Sequence, residues 1–373
     1  MSREGDYFES LYRSQVERAQ NMGKQPAVDF HARPLSIGLV PGDGIGPVIM
    51  REAERVLRCL LKKELDEGQI CLVPISGLTI EHRLEVNQSV PEDTLKQIKA
   101  CPVLLKGPTT TPSGGTMTSA NVTLRRELDL YANVRPVSVP DQGIDWTFFR
   151  ENTEGEYTLG SLGIEEEGLL AFDFKVITVP GTRRIARAAY EFARNQGKKR
   201  VTIVTKSNIM KKTDGLFSRI AHEVAAEYPE IETDEYYVDI MTANLVNEQV
   251  RSGFQVVLTP NLYGDILTDE AAQIQGGVGT AGSANLGDAY AMFEAIHGSA
   301  PRLVEEGLGE YASPESILIA AAMMLEHIGC QEKGRALWTA MIQVKEKGIV
   351  ANGTREGCTT AAFGDALLEV LNA

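Results

Sequence analysis

The chain has 373 residues, with 51 acids against 37 lysines and arginines and a formal net charge of −14. With 43% hydrophobic and 24% charged residues, it reads as an ordinary globular protein of about two domains, on a soft prior of roughly 100–200 residues per domain. The acidic balance argues against nucleic acid or an anionic membrane as partner, and no apolar run approaches a membrane span. The five cysteines lie far apart with no C-x-x-C, which implies neither a zinc site nor a disulfide framework and fits a reducing cytoplasm. The five histidines show no metal-ligand spacing.

The first predicted element is a helix over GDYFESLYRSQVERAQ, followed by a polar linker to Arg33. Residues 1–33 contain no apolar h-region, and Glu4, Asp6, Glu9 and Glu17 argue against a transit peptide, so the segment is expected to pack on the subunit surface or fray. LSIGLV (35–40) is a short apolar strand leading into Gly42-Asp43-Gly44-Ile45-Gly46. That run superficially matches a dinucleotide fingerprint, but its third glycine comes one residue early for G-x-G-x-x-G. Farther on, TRRIARAAYEFARNQG (182–197) predicts an amphipathic helix stopped by Gly197. KRVTIVT (199–205) and GFQVVLTP (253–260) are β-rich runs that each feed a polar segment opening a helix, the pattern of α/β layers. There is no internal repeat and no low-complexity tract.

Two segments carry candidate chemistry. TSANVTLRRELDLYANVRP (118–136) sets Arg125, Arg126 and Arg135 inside an acidic protein. A guanidinium fork matches a carboxylate bidentately, so the cluster suits a small substrate with several carboxylates, while Ser119 and Asn121 add neutral hydrogen bonds. For Arg126 the reading is a solvated helix face beside Glu127. In NLYGDILTDEAAQ, Asp265 and Asp269 stand at i and i+4 on one helical face, where like charges repel unless a cation lies between them. Oxygen-only ligands suit Mg²⁺ or Mn²⁺, with Asp239 in YYVDIMTANL as a plausible third carboxylate. On spacing alone such a pair is more often a solvated helix surface.

With LVPGDGIGP (39–47), KGPTTTPSGG (106–115), FRENTEGEY (149–157), TKSNIMK (205–211), NLYGDILTD (261–269) and AIHGSAP (295–301) in order, the chain resembles the β-decarboxylating dehydrogenase family. That family holds isocitrate, homoisocitrate, 3-isopropylmalate and tartrate dehydrogenases. The resemblance spans nearly everything after residue 34 and implies an isocitrate/isopropylmalate dehydrogenase-like fold. Its expected form is two α/β domains with a central cleft and a strand-rich dimer arm: a large domain from 34–130 and 276–373, a small domain from 131–275, and the arm at about 155–178. Within the arm, Glu165 to Glu167 are expected to form a solvated charged turn. The family implies a homodimer with shared active sites, in which Lys206 and Asp239 reach into the neighbouring subunit's site.

Residue by residue, the resemblance makes Arg125, Arg135 and Arg150 the substrate-binding arginines, Tyr157 and Lys206 the general acid/base pair, and Asp239, Asp265 and Asp269 the metal ligands. It implies that Lys106, Thr111 and the loop His297, Gly298, Ser299, Ala300, Pro301 and Arg302 bind the cofactor. The chemistry independently calls for such residue types. A lysine tuned by nearby cations serves as base for the hydroxyl proton, a divalent metal stabilises the enolate left by loss of CO₂, and a tyrosine protonates the enol carbon. In the resemblance, isocitrate enzymes carry a serine and an asparagine where isopropylmalate enzymes carry apolar residues. Ser119 and Asn121 therefore favour isocitrate, although Thr118 replaces an arginine common in relatives. After the HGSAP proline, NAD-using relatives usually have aspartate and NADP-using bacterial relatives lysine then tyrosine. Arg302-Leu303 matches neither, but a cation there favours NADP over NAD. Ser313-Pro314 stands where relatives often have Asn-Pro. The reading of another class is a non-catalytic regulatory subunit, which loss of the lysine, tyrosine or metal aspartates would mark; all are kept.

Overall fold

A computed structural model describes residues 3–24, 26–112 and 117–373. The strands, in chain order, are β1 (Leu35–Val40), β2 (Ile70–Pro74), β3 (Val103–Lys106), β4 (Ala132–Val139), β5 (Ile144–Glu151), β6 (Ile164–Glu166), β7 (Leu170–Phe172), β8 (Arg200–Thr205), β9 (Glu232–Tyr237), β10 (Val256–Thr259), β11 (Gly282–Leu286) and β12 (Ala291–Ala295). The chain divides into two compact units, one formed by residues 1–27 and 131–271, the other by 28–130 and 272–373.

In the unit built from both chain ends, five strands run in the order β2-β1-β3-β12-β11. All neighbours are parallel except the antiparallel β11–β12 pair. Parallel strands covered on both faces are apolar throughout rather than alternating, and β1 and β3 are buried almost end to end. Helix Glu315–His327 is buried nearly all round, as its ESILIAAAMMLEH composition demands of a core helix. After β1 the chain turns through Gly42 and Gly44, at φ +75° and +58°, into helix Gly46–Leu60. A Cβ on Gly42 would run into the Pro108 carbonyl, which accepts the Asp43 N–H at 2.7 Å. The Asp43 carboxylate accepts the N–H groups of Ile80 and Thr110, each at 2.7 Å. The glycine run is thus a strand-end turn packed on neighbouring backbone.

The other unit has the order β4-β5-β10-β8-β9, with antiparallel β4–β5 and parallel pairs beyond. Its core includes Trp146, Phe148, Tyr190, Ile203 and Phe217, and Trp146 Nε1 donates to Arg251 O at 2.9 Å. Helix Val179–Asn195 begins three residues before the expected Thr182, because Thr178 caps it by accepting the Gly181 N–H and Pro180 occupies its first turn. Gly197, at φ +68°, follows its end. β10 starts at Val256 because residues 251–253 form a 3₁₀ turn. The hairpin β6–β7 projects Leu169 and Phe172, 76% and 58% exposed. The charged turn expected at Glu165–Glu167 is displaced: Glu165 and Glu166 lie in β6 and pair with Ala171 and Leu170 of β7, and the reversal falls on residues 167–169. The N-terminal helix, Arg3–Asn21, is seated in this unit by Tyr7 OH donating to Leu162 O and by Phe8 against Phe174.

Gly42→Ala should cost about 2 kcal/mol or more, because it combines a left-handed backbone with a backbone clash. Urea unfolding of the variant against the unsubstituted chain measures it, and an unchanged midpoint would remove the turn from the list of structural constraints.

Candidate active site

In the unit containing residues 131–271, parallel pairing of β5 with β10 sets Arg150 opposite Thr259, just ahead of helix Asn261–Gln275. Arg150 is only 1% exposed, so its donors must be met by protein groups. Its Nε and Nη2 donate to Asn261 Oδ1 at 2.9 and 2.7 Å, and Nη1 pairs with Asp265. From β4, Arg135 donates through Nη1 to Thr268 Oγ1 at 2.6 Å and to Asp269 Oδ1 at 3.1 Å, with Nη2 3.8 Å from Asp265 Oδ1. Tyr157 OH donates to Asp265 Oδ2 at 2.8 Å, beneath the Arg150 guanidinium 5.5 Å from its ring centre. Two carboxylates one helical turn apart are thereby held by two buried arginines. Both aspartates keep a solvent-facing side, being 37% and 65% exposed.

Lys206 and Asp239 form a separate pair, Nζ to Oδ1 at 2.5 Å, in which the ammonium holds the Asp239 carboxyl below its usual range. Among the described residues no three His, Cys, Asp or Glu side chains gather as a metal-holding group, so one chain does not bring Asp239 to Asp265 and Asp269.

In the unit containing residues 28–130 and 272–373, Arg125 closes helix Ala120–Glu127 and pairs with Glu294 at 3.2 Å. The other Glu294 oxygen lies 3.2 Å from Lys106 Nζ, which also donates to Gly107 O, and Asn285 Nδ2 donates to Glu294 at 2.8 Å. Burial alone would raise the Glu294 carboxyl, but Lys106 and Arg125 together pull it down to about 2. Lys106 is lowered, since burial outweighs one shared carboxylate and Arg125 repels it. The carboxylate has two cations and the lysine has half a carboxylate, which accounts for both directions.

Ser119 stands at the cap of the Arg125 helix without a side-chain capping bond, and Asn121 Oδ1 accepts from Thr109 Oγ1 at 3.0 Å. Thr111 is exposed, and Ser113, Gly114 and Gly115 of the same motif lie outside the described residues. In the HGSAP loop, burial lowers His297, whose Nδ1 meets Gly298 O while Nε2 is buried without a protein partner. Ser299 shares a 2.7 Å hydrogen bond with Thr110 Oγ1, Ala300 is left-handed at φ +47°, and Pro301 opens a short helix. Arg302 is 86% exposed with Nε on Glu306 at 2.6 Å.

Sequence reasoning missed Glu294, Asn285, Asn261, Thr268 and Asp43. Glu294 had a signal in its sequence: a lone acid in the apolar strand AMFEA needs a buried cation. The amides and the threonine gave none, because their partners come from other strands.

Glu294, with a folded pKa below the unfolded value, adds stability above pH ~4.5 that is lost as pH falls toward ~2, on the order of 3 kcal/mol. The unfolding free-energy gap between the unsubstituted chain and Glu294→Gln should therefore narrow over that acid range, and a gap independent of pH would contradict the proposed pairing.

Comparison with known proteins identifies the family. The profile described as isocitrate/isopropylmalate dehydrogenase matches residues 36–367. An NADP isocitrate dehydrogenase of Rickettsia prowazekii is 39% identical over 325 residues, covering 85% of this chain and 64% of that protein. Subunit 2 of an NAD isocitrate dehydrogenase of Schizosaccharomyces pombe is 36% identical over 316 residues, covering 82% of this chain and 79% of that one. The crystal structure of isocitrate dehydrogenase from Methylococcus capsulatus superposes with a TM-score of 0.81 at 38% identity, covering 91% of this chain and all of that one. The chain thus spans under two thirds of the length of the Rickettsia relative it matches. No helix among the described residues is long and apolar enough to cross a membrane. With that profile running through every segment that carries the arginines, aspartates, tyrosine and lysine described above, the chain belongs to the isocitrate/isopropylmalate dehydrogenase family.

Proposed function

We propose that this chain catalyses metal-dependent oxidative decarboxylation of isocitrate to 2-oxoglutarate, passing a hydride to NAD(P), as a homodimer with shared sites. The observation that carries the reading is the convergence of Arg135, Arg150 and Tyr157 on Asp265 and Asp269. Two buried guanidiniums held by half-exposed carboxylates supply both anion recognition and an oxygen-only cation cradle. Ser119 and Asn121 favour a polar substituent on the substrate, hence isocitrate over 3-isopropylmalate, homoisocitrate or tartrate.

A divalent cation, Mg²⁺ or Mn²⁺, fits the Asp265–Asp269 donor set, with Asp239 of a second copy as third ligand, and would supply Lewis-acid stabilisation of the enolate charge. The coenzyme fits the HGSAP loop, where the buried Nε2 of His297 lacks a protein partner, and would accept the hydride from the substrate's hydroxyl-bearing carbon. Lys106 and Thr111 join that loop as cofactor contacts. Arg302, exposed at the first turn after Pro301, suits a 2′-phosphate and so NADP.

Arg125, Arg135 and Arg150 orient the substrate carboxylates. Lys206 takes the hydroxyl proton as the hydride leaves. The carbon–carboxylate bond then breaks with loss of CO₂, and its electron pair becomes the enolate. Tyr157, aligned by Asp265, delivers a proton to the enol carbon.

Initial rates with isocitrate, homoisocitrate, 3-isopropylmalate and tartrate, each with NAD and NADP and with or without a chelator, test the reading. The expected result is chelator-sensitive turnover highest with isocitrate and NADP; blank rates throughout would reject catalysis. Lys206→Met should lower kcat by at least about a hundredfold while isocitrate still binds in calorimetry, and an active variant would remove Lys206 as the base.

A further inference from the structure

The N-terminal helix precedes residue 36, where the family match begins, yet it reaches toward the Arg150 network. Arg18 Nη2 donates to Glu154 Oε1 at 3.1 Å, and its Nε is braced by Gln15. Glu154 is fully buried, and its carboxylate also accepts from Thr178 Oγ1 at 2.5 Å and Thr178 N at 2.8 Å. A second buried carboxylate, Glu151, accepts the Glu154 N–H at 2.6 Å, while Arg184 stands by both acids and donates to Thr153 Oγ1. Burial, then the charge of Glu154, pushes Glu151 up to about 7; burial also raises Glu154 against the pull of Arg18. Arg18, Arg184, Glu151 and Glu154 are therefore one charge cluster with little solvent to screen it.

That cluster joins the candidate site through backbone. Glu154 O accepts from Asn261 Nδ2 at 3.0 Å, and Asn261 Oδ1 accepts the two Arg150 donors. We propose that Arg18 is a positioning residue: by compensating the Glu154 carboxylate it fixes the carbonyl that orients Asn261, and so the direction in which Arg150 presents its guanidinium to a substrate carboxylate. The inference rests on the reading of Arg150 as a substrate contact. Without Arg18, an uncompensated carboxylate stays buried unless it takes up a proton or residues 151–154 move, and movement there carries Asn261 with it. The disturbance grows with pH, because protonation of the acid pair relieves it.

The test compares isocitrate KM and kcat for the unsubstituted full chain, Arg18→Gln and the double variant Arg18→Gln/Glu154→Gln at about pH 6 and about pH 8. Expected for Arg18→Gln is a KM raised about tenfold at the higher pH and less at the lower, with a much smaller change in kcat. The double variant, which removes the Glu154 charge along with Arg18 and leaves Glu151 beside Arg184, should recover most of the loss. An unchanged KM for Arg18→Gln, or an equal rise in the double variant at both pH values, overturns the proposal. If Arg18→Gln does not fold, Arg18→Lys, which keeps the charge without the fork, carries the same comparison with a smaller expected rise. An unsubstituted chain that neither turns over nor binds isocitrate would sink the functional reading and this inference with it, whereas an active chain indifferent to Arg18 sinks the inference alone.

Discussion

Burying a cation without partners is too costly for a marginally stable fold, and that constraint organises this protein's chemistry. Arg150, Arg83 and Lys106 are each at most 1% exposed, and Arg135 is 7% exposed. Each is met by acceptors from a segment distant in sequence: Arg150 by Asn261 and Asp265, Arg135 by Thr268 and Asp269, Lys106 by Glu294, and Arg83 by the Thr110 carbonyl with Asp43 nearby. Such pairs are strongly destabilising to break because the survivor remains buried and charged. They therefore lock strand ends to the loops and helices beside them.

Both compact units solve this in the same way. One sets Asp265 against Arg135 and Arg150, and the other sets Glu294 between Lys106 and Arg125. Glu294 alone answers two cations, which leaves positive charge for an anionic ligand in a protein that is acidic overall, whereas Arg135 and Arg150 share two carboxylates, Asp265 and Asp269. The parallel order of strands supplies the geometry. Adjacent parallel strands end on the same edge, so Arg150 at the end of β5 meets the helix that follows β10 without a long connection.

Much of this was legible in the residues. LSIGLV forms β1 over the residues expected, the helix over residues 5–20 extends by only two residues at its start and one at its end, and Asp265 and Asp269 do share a helical face. Local errors have local causes: the Thr178 cap and Pro180 start a helix early, and pairing of β6 with β7 moves the hairpin reversal past Glu166. What was not legible is long-range. Lys106 and Glu294 lie 188 positions apart, and Arg18 and Glu154 lie 136 apart, so no periodicity or motif links them.

By itself the sequence determined the α/β layering, the family, and which residue types are available for acid–base and carboxylate chemistry, because apolar periodicity, turn residues and motif order are short-range properties of the chain. Only the tertiary structure decided which cation each buried acid answers, that Tyr157 is aligned by Asp265, and that the N-terminal helix is tied to the Glu154 charge cluster. Those outcomes follow from strand order and burial, which determine the distances between residues remote in sequence and the low-dielectric surroundings in which their charges must be paired.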